Sequence, residues 1–132
     1  MLEQIELSTR GRQAFHDITE QVQAAVRRSG VEEGICFLFC PHTTAALTLN
    51  ENWDPSVQHD LGLGLNALAP VHDGYCHSEG NSPAHLKSSL VGASEWVPVS
   101  GGRVAGGRWL GGGGGGWGGA GEGRVLVRVL AG

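Results

Sequence analysis

Histidine, carboxylate and amide side chains crowd into two short stretches of this 132-residue chain. The first runs Pro41-His42-Thr43-Thr44 and resumes at Asn50-Glu51-Asn52-Trp53-Asp54-Pro55. The second is His77-Ser78-Glu79-Gly80-Asn81-Ser82-Pro83-Ala84-His85. Imidazole serves both as metal ligand and as acid–base near neutral pH. A glycine-containing loop separates His77 from His85 and can fold the two rings together, with His42 as a candidate third nitrogen. Three histidines with an open position form a known catalytic zinc arrangement. The same spacing also suits histidines that only hydrogen-bond at strand ends.

Glu51 and Glu79 are the carboxylates placed for acid–base work or for orienting a histidine; solvated loop glutamates are the plainer alternative. Thr43, Thr44, Ser82 and the amides opening the helix after Ser82 suit an oxyanion, because a helix N-terminus attracts phosphate. Lys87 adds positive charge there or lies on a solvated face. His16, His59 and His72 read as structural or surface residues. Neither a P-loop signature nor a serine-hydrolase elbow occurs, which disfavours nucleotide triphosphatase and serine hydrolase chemistry.

The elements that must position these groups follow from periodicity. Residues 2–7 read as a half-buried strand, and a short second strand ends near His16. Asp17 reads as a helix N-cap, with Glu20 three residues on. Ile18, Val22, Ala25 and Val26 line one helical face; Arg27, Arg28 and Gly30 suit its end. Residues 35–40 are apolar on both alternating faces, as in a central strand covered on two sides. A strand over residues 43–49 follows. Asp54-Pro55 opens a second helix, whose Val57, Leu61, Leu65 and Leu68 face inward. Ser82-Pro83 opens a short third helix that Gly92 ends. Residues 96–99 read as an edge strand because of Pro98, and Val125, Val127 and Val129 alternate in a last strand. The order implies an α+β fold with antiparallel or mixed sheets.

The chain is 40% hydrophobic and 17% charged, with net charge -4. That composition folds rather than staying disordered. The acidic balance disfavours nucleic acid and anionic membranes as partners. No apolar run approaches the ~20 residues that cross a bilayer, and the N-terminus lacks the features of a secretory signal; the expectation is a cytoplasmic protein. Cys36, Cys40 and Cys76 read as reduced core thiols, with thiolate ligands or a nucleophile as the alternative.

Taken together the two polar stretches resemble the YjbQ family. The resemblance rests on Pro41-His42-Thr43-Thr44-Ala45-Ala46-Leu47-Thr48-Leu49-Asn50-Glu51-Asn52, then Asp54-Pro55, His77-x-Glu79-Gly80-Asn81 and Ala84-His85. Asp17-Ile18-Thr19, Ser29-Gly30-Val31, Leu90-Val91-Gly92 and Val97-Pro98-Val99 match as well. The resemblance implies a homotrimer of α+β domains built round a β-sandwich. It implies a divalent metal, zinc or magnesium, on His42, His77 and His85. It also implies a small phosphorylated substrate and a secondary thiamine-phosphate synthase activity, which joins a pyrimidine diphosphate to a thiazole phosphate with loss of pyrophosphate. Glu79 would then act as acid, base or orienting partner, and Asn81 would orient the ligand. A metal-dependent hydrolase or lyase on the same histidines, and a trimeric binding protein without turnover, stay open.

The chain reads as a single domain over residues 1–132, with one anomaly. From residue 106 to 123, 12 of 18 residues are glycine. Glycine loses the most conformational entropy on ordering, so such a tract normally reads as a flexible linker. Here it lies between two strand-like segments. In the family this stretch carries an apolar strand and an Asp-Gly-Pro-Arg turn. The register returns without a gap at Arg124-Val125-Leu126-Val127; unchanged length with altered content fits a compensated pair of frameshifts or another artefact of the sequence, with real divergence as the alternative.

Overall fold

The computed structural model describes residues 2–9, 15–50, 54–78, 80–105, 108–112 and 121–132. Eight strands and three helices occur among them: β1 (Leu2–Thr9), β2 (His16–Asp17), α1 (Thr19–Ser29), β3 (Glu33–Phe39), β4 (Ala46–Asn50), α2 (Pro55–Leu68), α3 (Ser82–Val91), β5 (Ser94–Ser100), β6 (Arg103–Val104), β7 (Arg108–Gly112) and β8 (Gly121–Ala131). The fold is α+β. The strands form a five-stranded sheet, β1-β8-β3-β5-β6, and a three-stranded sheet, β2-β7-β4. Every ladder is antiparallel, so the mixed-sheet alternative drops out.

Alternation along the strands decides which side is core. Cys36 and Leu38 of β3, Val97 and Val99 of β5, and Val125 and Val127 of β8 point to one face and are buried. They pack with Ile18, Val22, Ala25 and Val26 at α1, and with Ala45 and Leu47 at β4. The apolar face expected for α1 is therefore the one used. Asp17 Oδ1 accepts from Thr19 N at 3.0 Å and from Thr19 Oγ1 at 2.6 Å, so it turns the chain into the helix from one position before the Ile18 cap. Gly30 closes α1 in the left-handed region, with φ 72°.

Four expectations are corrected by packing. β3 is central, between β8 and β5, but it is covered on one side only: Ile35 and Phe39 remain 45% and 38% exposed. Leu68, the last residue of α2, faces solvent rather than the core and stays 71% exposed. The cap of α3 is Asn81, not Ser82, which is already the first helical residue. Residues 94–100 form an inner strand rather than the expected edge: Pro98 pairs with Ile35 of β3 on one side, and on the other its carbonyl accepts from Ala105 N at 2.9 Å, just past the two-residue β6.

The glycine-rich tract is not a linker throughout. Its residues 108–112 form β7, the middle strand of the small sheet, joined to β2 and β4. Residues 113–120 lie outside the described part. A second, smaller apolar cluster joins Ala46 of β4 to Ala84 of α3, with Phe15, Leu65 and Val91 against it. It fixes α3 on the small sheet, and α3 carries one of the candidate histidines.

Candidate functional site

α3 begins at a proline-assisted turn. Pro83 fits the first turn because its missing N–H has no helical acceptor to meet. The amides of Ala84 and His85 both donate to Asn81 O, at 3.0 and 3.4 Å. Pro83 lacks a donor, so the helix start offers an incoming oxyanion the amide and hydroxyl of Ser82, a narrower cradle than the sequence suggested. Upstream, Gly80 has φ 73°, and its amide donates to His77 O at 3.2 Å. That turn folds the chain back on itself.

The fold-back brings His77 and His85 together. Their ring centroids are 5.1 Å apart at an interplanar angle of 86°, an edge-to-face contact. His77 is exposed and His85 half-buried, so the pair is open to solvent. Asn81, between them in sequence, holds its Oδ1 buried with no hydrogen-bond partner among the described residues. An acceptor kept from water without a donor costs free energy, so a ligand N–H or O–H would gain by meeting it.

His42 is placed differently. It follows β3, and its Nε2 accepts a hydrogen bond from the Arg124 amide of β8 at 3.0 Å. Burial, and secondarily the Arg124 charge, hold its imidazole below the usual histidine range. Its Nε2 lone pair is thus spent on the backbone. Among the described residues no group of three or more His, Cys, Asp or Glu side chains is arranged to hold a metal ion. Among the described residues His77 and His85 therefore meet ring to ring, while His42 is bonded to the backbone of β8.

Thr43 and Thr44 occupy the bend between β3 and β4, Thr43 exposed and Thr44 half-buried. Glu51 and Glu79 lie outside the described residues. Lys87 does not lie on a solvated face. It is 4% exposed, its Nζ donates to Asn66 Oδ1 of α2 at 2.5 Å, and burial pushes its pKa down. Asn66 carries no local sequence signal, since only the α2–α3 packing makes it a partner. Ser88 is a further residue the sequence did not single out. Its Oγ donates to Ala45 O at 2.7 Å, tying the histidine-bearing helix to the approach to β4. His16 reads from the sequence as structural or surface; its Nε2 is buried with no hydrogen-bond partner among the described residues, and burial lowers its pKa.

Residues 3–111 match the family model described as UPF0047 protein YjbQ-like. A UPF0047 protein of Methanocaldococcus jannaschii is 43% identical over 111 residues, covering 84% of this chain and 80% of its own. The UPF0047 protein YugU of Bacillus subtilis is 42% identical over 112 residues, covering 84% and 85%. Among solved structures, an uncharacterised conserved protein of the YjbQ/UPF0047 family from Clostridium acetobutylicum superposes with TM-score 0.89 at 36% identity, covering 97% of this chain and 99% of that one. A protein of unknown function from Sulfolobus solfataricus gives TM-score 0.90 at 28% identity, covering 100% and 97%. The chain belongs to the YjbQ (UPF0047) family.

Proposed function

We infer that the chain binds a small phosphorylated substrate between His77, His85 and the start of α3, and acts there as a transferase of the thiamine-phosphate synthase type. The observation that carries this reading is the edge-to-face meeting of His77 and His85 beside the opening turn of α3. A diphosphate leaving from the pyrimidine needs its growing negative charge met by donors. Two imidazoles and the Ser82 amide and hydroxyl are donors within the stretch from His77 to His85. Asn81 Oδ1 accepts from the organic part of the ligand. Lys87, buried beneath α3, supplies positive field rather than a direct contact. A divalent ion would meet His77 and His85 as its imidazole ligands; His42 would first have to give up its bond from the Arg124 amide.

Self-association belongs to the same reading. One face of the five-stranded sheet carries Ile35, Phe39, Trp96 and Leu130, each 38% to 59% exposed, and Phe37 stacks on Trp96 at 4.4 Å. An open apolar sheet face of this kind marks an interaction surface, and copies of this chain in a homotrimer are its proposed occupants.

Growth rescue of a strain lacking thiamine-phosphate synthase tests the activity, with pyrophosphate release from purified protein as the direct readout. His77→Ala and His85→Ala are expected to abolish both while leaving the fold intact, since neither side chain is core. Zinc retention by the same variants reports separately on metal. Unchanged pyrophosphate release in both variants would overturn the assignment of these histidines.

A further inference from the structure

A separate concavity lies where the C-terminal end of α1 meets the turn between β5 and β6. Its volume is about 280 Å3, and Gln23, Val26, Arg27, Val31, Glu32 and Arg103 line it with the backbone of three glycines. None of these residues belongs to the His77–His85 site.

The walls are fixed by the protein's own bonds. Gln23 Nε2 donates to Gly102 O at 3.1 Å, and Gln23 Oε1 accepts from Val104 N at 3.2 Å. The Gly102 amide donates to Glu32 O at 3.0 Å. Ser100 Oγ and the Gly101 amide both donate to Glu33 Oε1, each at 3.2 Å. Gly101 and Gly102 both have positive φ, 60° and 73°. The Glu32 carboxylate lies over Gly102, 3.6 Å from where a Cβ would stand, at ordinary contact distance.

The ionic groups of the cleft are uncommitted. Among the described residues the ion pairs are Arg28–Glu3 and His59–Asp60. The Arg27, Arg103 and Glu32 side chains enter neither, and no side-chain hydrogen bond engages them. Two guanidinium forks suit the oxygens of a carboxylate or phosphate. A carboxylate beside them repels a bare anion but accepts from an ammonium. The floor, Val26 and Val31, suits a short aliphatic stem. At about 280 Å3 the space is enough for a small metabolite.

We propose that this cleft binds a small zwitterion, with its oxyanion on Arg27 and Arg103 and its ammonium on Glu32. Calorimetric titration of the full chain with phosphoethanolamine, β-alanine, inorganic phosphate and ethanolamine tests it. The two double-ended probes are expected to bind about 10-fold or more tightly than either single-ended one; which of the two wins identifies the oxyanion. Arg27→Ala and Arg103→Ala should each weaken the zwitterions by a similar factor. Glu32→Gln should weaken them while strengthening inorganic phosphate. His85→Ala should change none of these affinities, which separates this site from the one proposed above. All three cleft side chains are exposed, so unchanged melting temperatures will show that the variants fold. Zwitterions that bind no better than phosphate, or that ignore Glu32→Gln, would overturn the proposal.

Discussion

Replacing Ser88 by alanine should destabilise the protein far more than replacing its neighbour Ser89. Ser88 is 8% exposed, and its hydroxyl donates 2.7 Å to the carbonyl of Ala45, a fully buried residue 43 positions away. Ser89 is exposed, and its hydroxyl donates 2.9 Å to His85 O within its own helix. Removing the Ser88 hydroxyl strips a donor from a buried carbonyl, which costs about 1–3 kcal/mol. Removing the Ser89 hydroxyl hands its carbonyl back to water, a change within ~0.5 kcal/mol. For a chain of this size 1 kcal/mol moves the melting temperature by roughly 4 °C. Ser88→Ala should therefore melt about 4–12 °C lower, and Ser89→Ala within about 2 °C of the parent. Urea titrations should show a lower midpoint with an unchanged slope. Because α3 also carries His85, Ser88→Ala should weaken substrate binding in addition. Equal effects from the two serines, or a Ser88→Ala protein as stable as its parent, would refute the claim that this hydroxyl anchors the helix.

Two further predictions follow from buried contacts. Gly34→Ala would drive a Cβ into the Leu130 carbonyl oxygen and to 3.0 Å from Val31 Cγ1, where Gly34 faces Val99 and Ala131 in the ladders. Backbone cannot yield cheaply there, so the cost is about 3 kcal/mol or more, read as a lost or strongly shifted unfolding midpoint; a near-normal midpoint would contradict the close approach. Acidification should destabilise the protein through His16. Burial lowers its pKa in the fold, whereas the unfolded chain takes up the proton near pH 6.5. Between those values the unfolded state binds more protons, so stability is full above the unfolded pKa and is lost as pH falls toward the folded one. His42, also lowered by burial, acts in the same direction. His16→Phe should flatten part of the slope in a series of urea midpoints from neutral to mildly acidic pH, and a midpoint that rises on acidification would contradict the sign.

Local chemistry was legible in the sequence where one element sufficed to decide it. The buried stripe of α1 follows from 3.6-residue spacing, and its end from Gly30. Asp54 caps α2 as expected, its carboxylate accepting from Ser56 N at 2.9 Å. The α+β class and the meeting of His77 with His85 were legible too, the latter because a glycine turn lies between them. What depends on distant partners was not. Nothing near Lys87 in sequence predicts that Asn66 will draw it under α3. Nothing near His42 predicts that the Arg124 amide will take its Nε2. Ile35 and Phe39 look like core residues in sequence because an apolar face reads the same whether its cover comes from this chain or another. β7 was missed because glycines carry no strand periodicity.

The unequal settings of the three cysteines make the protein easy to watch. Burial pushes the Cys36 thiol up to about 11 and raises Cys40 as well. Both are shielded inside the molecule, while Cys76 is exposed. Thiolate is the reacting form, so a maleimide dye offered at neutral pH attaches at Cys76 and leaves the other two untouched. That label sits next to His77 without any engineered mutation, and its emission will register whatever enters or leaves the imidazole pair.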